Sequence, residues 1–221
     1  MRILLFGASG MVGQIALRAA LQDADVTEII SVVRAPSHQE HPKLKEVVHE
    51  DFNDFSAIES AFSEIDACLF CLGVSSAGMG EEEYYHITYD ITMSAAHILE
   101  HQSGSKATFI YITGAGTDSS EQGRSMWARV KGKTENDLQK LDFKAAIMFR
   151  PGVILPDGTI RSKTKNYQII YDIFRPLFPL IKRFIPNYVT TAEQLGVAMM
   201  QAAKGASTKS ILEIRDINLL K

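Results

Sequence analysis

Cysteine is nearly missing from this chain: Cys68 and Cys71 are the only two among 221 residues, too few and too close in sequence for a secreted disulfide scaffold. Their scarcity points to a reducing compartment, and the cytoplasm is the expected location. No excess of one charge exists either, since 23 Lys+Arg face 26 Asp+Glu for a net charge of −3. Without a global basic field to hold a phosphate polymer or an anionic membrane, general nucleic-acid binding is excluded. Long apolar runs are absent, and no uncharged stretch approaches the ~18 residues of a membrane span. The opening Arg2-Ile3-Leu4-Leu5-Phe6 looks like the start of a secretory signal, but Gly7, Ser9, Gly10, Gly13 and Gln14 break it before an apolar core forms. The mature chain is therefore expected to start at Met1. Neither an internal repeat nor a low-complexity tract is visible.

What is present is an ordinary globular composition, 46% hydrophobic and 22% charged, at a length that buries one sizeable core and is too short for two domains with a linker. A short strand-like run, Ile3 to Phe6, passes through a glycine-rich turn into Val12, Ile15, Ala16 and Ala19, whose spacing fits one face of a helix. Further strands are expected at Ile29–Val33, Glu46–His49, Ala67–Leu72, Thr108–Thr113 and Ala145–Phe149. Helices are expected over Glu82–His101, with Glu81-Glu82-Glu83 as a negative start, and over Ser125–Leu141. Strands alternating with helices imply an α/β fold: a doubly wound parallel sheet covered on both faces, a single domain over 1–221.

Five of the seven prolines fall in the last 70 or so residues (Pro151, Pro156, Pro176, Pro179 and Pro186). A small lobe over 152–190 is expected to cover the carboxyl ends of the strands. A helix over Thr191–Ala203, with Thr190 and Glu193 at capping-box spacing, and a strand near Ile211–Ile214 then close the chain.

Gly7-Ala8-Ser9-Gly10-Met11-Val12-Gly13 sets glycines at GxxGxxG spacing between a strand and an amphipathic helix. Gly7 permits the sharp exit from the strand, Gly10 lets backbone N–H groups approach a pyrophosphate at the helix N-terminus, and Gly13 lets helix and sheet pack closely. A dinucleotide is the implied ligand, held by Gly7, Ser9, Gly10, Met11, Val12 and Gly13. At the tip of the second strand, where an acid would select NAD, stands Arg34. Its planar fork suits a 2′-phosphate, so NADP is expected ahead of NAD. Asp51 is a candidate for the adenine, and Cys71-Leu72-Gly73 leaves the fourth strand where the ribose and pyrophosphate would lie.

With these residues in view, the chain resembles the short-chain dehydrogenase/reductase superfamily, in particular its atypical branch of Tat-interacting-protein-like, nitrogen-repressor-like and epimerase/dehydratase-like members. The likeness rests on Gly7 to Gly13, Arg34, Cys71-Leu72-Gly73, Asp90, Thr113, Lys131-Gly132 with Glu135, and Arg150-Pro151-Gly152 before Val153-Ile154-Leu155. It implies an NAD(P)-binding Rossmann fold and an oxidoreductase acting on a small carbonyl or related molecule. A Ser or Thr after the fifth strand and a Tyr and Lys four residues apart on the next helix are implied as its catalytic set. Thr113 and Lys131 fill two of those places, Lys131 also as a ribose anchor. The third is Trp127, whose indole does not titrate near neutral pH and cannot relay a proton. Tyr84, Tyr85, Tyr89, Tyr167 and Tyr171 are left as candidate replacements. Resemblance to the regulatory members implies the alternative of a non-catalytic NADP(H)-binding sensor or assembly factor. Arg150 and Pro151 are expected beside the cofactor, and a monomer or homodimer is the expected state.

Three other signals point elsewhere. The stretch 161–185 carries six Lys or Arg against Asp172 and reads as an amphipathic lid with its cations in water. His97-Ile98-Leu99-Glu100-His101 has zinc-like spacing but no evident third ligand. In Cys68-Leu69-Phe70-Cys71, residues three apart on a strand face opposite sides, so no bridge or shared metal is expected. No metal site is assigned.

Overall fold

The computed structural model describes residues 1–155 and 188–221. Its centre is a seven-stranded parallel sheet of β1 (Arg2–Phe6), β2 (Glu28–Val33), β3 (Leu44–Val48), β4 (Ala67–Phe70), β5 (Thr108–Ile112), β6 (Ala145–Arg150) and β9 (Ile211–Glu213). In space the strands run β3-β2-β1-β4-β5-β6-β9. The chain moves outward in one direction from β1 to β3, then returns to the other side of β1 for β4. Loops leaving β1 and β4 therefore part in opposite directions, and a crevice opens at the carboxyl ends between them.

Period-two alternation explains how one set of strands serves two cores. Ile3, Leu5, Ile29, Leu69, Ile110, Ile147 and Phe149 point to one face, where α1 (Met11–Gln22) and α5 (Ala192–Ala203) cover them. Leu4, Phe6, Ile30, Val32, Phe70, Phe109, Tyr111 and Met148 point to the other. That second face is covered by α3 (Ile91–Gln102), by α4 (Met126–Leu138) through Leu138, and by a 3₁₀ segment (Ser56–Phe62). Phe6 is fully buried there, 5.0 Å from Phe70 and 5.5 Å from Phe55 between ring centroids. Truncating such a ring to Ala costs about 3–5 kcal/mol. Cys68 and Cys71 fall into opposite cores, as strand geometry requires, and both thiols are free.

The long helix expected over Glu82–His101 runs as α2 (Glu81–Tyr85), a π-helical stretch (His86–Asp90) and α3, with Glu81, Glu82 and Glu83 in its first turn. Two expectations shift near the C-terminus. Thr191, rather than Thr190, caps α5 by accepting from the Gln194 N–H at 3.1 Å. The last strand ends at Glu213, because Glu213 and Asp216 form a capping box that starts α6 (Ile214–Leu219). Of the expected lobe, β7 (Val153–Leu155) and β8 (Val189–Thr191) form a two-stranded parallel sheet; the basic segment 161–185, Tyr167 and Tyr171 lie outside the described residues. No helix among the described residues is long and apolar enough to cross a membrane.

Candidate functional site

The crevice at the β1/β4 reversal holds the glycine-rich turn. Gly7 has φ +78°, and a Cβ there would lie 2.7 Å from the Cys71 carbonyl carbon and oxygen. At Gly13 a Cβ would meet the Gly7 carbonyl oxygen at 1.9 Å, so α1 approaches the turn more closely than any side chain allows. Gly10 is the N-cap of α1, without a side-chain cap and without an acid in the first turn. The first N–H groups of α1 are thus left to an anionic guest, which the helix dipole also favours.

Beside this turn lies a cavity of about 390 Å³ lined by Gly7, Ala8, Ser9, Leu17, Val32, Val33, Arg34, Ala35, Pro36, Ser37, Gln39, Phe52 and Leu72. Among the described residues of this lining Arg34 is the one that carries a charge. It is exposed and makes no hydrogen bond or ion pair with a described residue. None of the described lining residues is a carboxylate. Asp51 is not part of the wall: its Oδ1 accepts from the Asn53 N–H at 3.0 Å and from Asn53 Nδ2 at 2.9 Å, and Phe52 occupies that side instead. Phe52, Leu17, Ser37 and Gln39 escaped the sequence reading. Ser37 and Gln39 arrive on the loop that follows β2, Phe52 on the turn after β3, and Leu17 on α1 itself. Cys71, Leu72 and Gly73 follow β4 on the crevice's other wall, where the Cys71 N–H donates to Phe6 O at 3.1 Å.

The second cluster forms where β5 and β6 end. Trp127, Lys131 and Glu135 stand at successive four-residue intervals on α4 and share one face. Glu135 is completely buried. Its carboxylate accepts from Thr113 Oγ1 at 2.6 Å and from Arg150 Nε at 3.1 and 3.2 Å, with Arg150 Nη2 closer still. Arg150 also donates to Ser119 Oγ at 2.6 Å and to Glu213 Oε1 at 3.2 Å. Arg150, expected beside the cofactor, has its fork turned inward and tied to Glu135, Ser119 and Glu213. Pro151 is buried at the same sheet edge, and its carbonyl accepts from the Ala115 N–H at 2.9 Å. Sequence reading missed Ser119 and Glu213 as partners because they lie on different elements, far apart in the chain.

Lys131 Nζ donates to Ile112 O at 3.1 Å and lies 5.5 Å from the centroid of the Tyr111 ring. Burial lowers its ammonium to about 8, against the opposing pull of Glu135. Trp127 leans toward Gly116, whose Cβ position is 3.6 Å from the indole. The tyrosines offered as substitutes are otherwise engaged. Tyr84 is buried, and the Tyr85 ring packs tilted against Tyr89 with centroids 4.7 Å apart. Tyr89 donates to Asp137 at 2.8 Å and is pushed up to about 12, by burial first and by Asp137 second. His97 and His101 face Glu100 and Glu59 separately, at 3.5 and 3.6 Å, and no metal-holding group of three or more such side chains occurs among the described residues.

Comparison with known proteins agrees with this geometry. The family model described as NAD(P)H-binding matches residues 7–167. Protein FMP52, mitochondrial, of Meyerozyma guilliermondii is 30% identical over 157 residues, 70% of this chain and 66% of that protein. Protein HTATIP2 of Rattus norvegicus is 26% identical over 157 residues, covering 70% of this chain and 63% of its own length. This chain thus spans a little under two thirds of each. Among solved structures, MoeE5 in complex with UDP-glucose and NAD has TM-score 0.69 at 11% identity over 98% of this chain and 79% of that one. A putative NAD-dependent epimerase/dehydratase from Bacillus halodurans has TM-score 0.53 at 21% identity over 70% and 71%. The expected cytoplasmic location is overturned, because the fungal relatives are named mitochondrial. A low cysteine content reports a reducing environment and cannot say which compartment supplies it. The turn, the cavity and the matching model together make this chain a nicotinamide-dinucleotide-binding protein with a Rossmann fold, and it belongs to the NAD(P)H-binding family in the atypical short-chain dehydrogenase/reductase branch.

Proposed function

We propose that the protein binds NADP(H) in preference to NAD(H) and uses it to reduce a small carbonyl or related substrate. One observation carries the cofactor preference: among the described residues, the cavity beside the diphosphate turn has Arg34 as its single charge and no acid to hold two ribose hydroxyls. In this reading the backbone of Gly7 to Gly13 holds the diphosphate and Phe52 flanks the adenine. Arg34 pairs with the 2′-phosphate, and Leu72 and Gly73 pass the ribose. Thr113 and Lys131 stand at the nicotinamide end. When bound, the reduced nicotinamide supplies hydride.

Calorimetry on Arg34→Ala tests this. A charge-assisted fork on phosphate is worth about 1.5–3 kcal/mol, so NADPH affinity should fall about 10- to 150-fold while NADH affinity changes less than about threefold. Equal losses for both nucleotides refute the assignment. A second reading, tight nucleotide binding without turnover, is favoured by Trp127 standing four residues before Lys131. If the parent reduces nothing in a carbonyl panel and Trp127→Tyr creates NADPH-dependent reduction, that second reading holds.

A further inference from the structure

Given the NADP(H) oxidoreductase reading above, on which this rests, we infer that the side chain donating to the reacting oxygen is Lys131, and that Thr113 is a positioning residue able only to accept. Thr113 has a single hydroxyl proton. Both protein atoms near its Oγ1 are acceptors, the Glu135 carboxylate at 2.6 Å and the Phe149 carbonyl at 3.1 Å. Glu135 is fully buried, and both of its oxygens accept from Arg150. The Thr113 proton is therefore committed inward, and what the hydroxyl offers a substrate is a lone pair. A carbonyl oxygen needs the opposite.

Lys131 supplies it. Its Nζ sits 3.1 Å from Ile112 O, one residue before Thr113, and that bond uses one of three ammonium protons. Two remain for a guest at the end of β5. The charged and titratable groups around it are Glu135 on its own helix, with Arg150 and Glu213 behind that carboxylate, and the Tyr111 ring on β5. Trp127 offers a non-titrating indole, and every described tyrosine offered as a substitute is buried, packed against another ring or bonded to Asp137. A bound reduced nicotinamide would supply hydride to the carbonyl carbon, and Lys131 Nζ would give one proton to the carbonyl oxygen. The products are an alcohol, an oxidised nicotinamide and a neutral amine, which water reprotonates. Because burial holds the ammonium near 8, the donor form prevails at neutral pH and still releases its proton readily.

The test compares parent, Lys131→Arg, Lys131→Met and Thr113→Val by three measurements. Calorimetry with NADPH comes first: no binding by the parent sinks the underlying oxidoreductase reading itself. Next, lysines are ¹³C-methylated and titrated by NMR, with the Lys131 signal identified by its absence from Lys131→Arg. A midpoint more than one pH unit below those of the other lysines is expected, and a midpoint among them overturns the proposal. Last, kcat and KM are measured with NADPH on a panel of small aldehydes and ketones. Both Lys131 variants should lose at least about 100-fold in kcat, measured at saturating NADPH. The parent's rate should fall tenfold per pH unit above about 8. Thr113→Val should lose less than about tenfold. If Thr113→Val loses as much as Lys131→Met, or if the nucleotide-bound parent reduces nothing in the panel, Lys131 is not the donor.

Discussion

Replacing Glu135 by Leu should reveal how much of the fold hangs on one buried ion pair. Glu135 is completely buried and the Arg150 side chain retains 10% exposure, so neither charge has water to fall back on. Removing the carboxylate leaves Arg150 with Ser119 Oγ at 2.6 Å and with Glu213, itself half exposed, at 3.2 Å. Breaking such a pair from one side costs about 3–5 kcal/mol, a large share of the roughly 5–15 kcal/mol that holds a domain folded. Arg150→Met should cost a similar amount by stranding the carboxylate. The double variant Glu135→Leu/Arg150→Met removes both charges together and should recover to within about 2 kcal/mol of the parent, because Thr113 keeps the Phe149 carbonyl at 3.1 Å. Urea unfolding at pH 7, followed by circular dichroism and by the fluorescence of Trp127, the only tryptophan, measures all three. A single-variant loss below about 1 kcal/mol, or a double variant no better than the worse single, refutes the coupling. The double variant should keep NADPH affinity within about threefold. A larger loss would return Arg150 to the cofactor.

Gly13→Ala places a Cβ 1.9 Å from the Gly7 carbonyl oxygen, so α1 must shift. A stability loss of about 1–3 kcal/mol should accompany lost nucleotide binding, and calorimetry showing parental affinity refutes the close-approach reasoning. Lys131 has its pKa lowered, so the folded chain carries fewer protons than the unfolded one between about 8 and 10.5. The penalty of its buried charge is full below pH 8 and fades as pH rises through that window. Lys131→Met should therefore stabilise at pH 7 by up to about 3 kcal/mol, and by much less at pH 10. Equal gains at both pH values in urea melts contradict this. Asp137 is raised by burial, but bonds from Lys133, Lys140 and Tyr89 outweigh that and hold it at about 2. Its contribution is present above the ordinary aspartate value of 3.8 and lost as pH falls toward 2. Asp137→Asn should flatten that acid limb and cost on the order of 1 kcal/mol at pH 6, as Lys140 is largely exposed and Lys133 partly so. An unchanged acid limb by circular dichroism contradicts it.

The sequence by itself determined the sheet and its phosphate turn, because both rest on local rules. Alternation along Ile3 to Phe6 assigns each side chain to a face without knowledge of its neighbours, and only glycine tolerates the approach at Gly7 and Gly13. Arg34 was legible for the same reason, since a strand tip points to one place. Capping was less so: Thr190 and Thr191 are chemically alike, and only the path of β8 chooses between them. Tertiary structure alone decided which way Arg150 faces. A charged residue beside a proline and a glycine reads as part of the cleft until Glu135, Ser119 and Glu213, brought in from α4, the loop before it and β9, are seen to claim its donors. The commitment of the Thr113 proton was equally hidden, because a hydroxyl's direction is set by which acceptor the fold buries beside it, and that acceptor lies 22 residues along the chain.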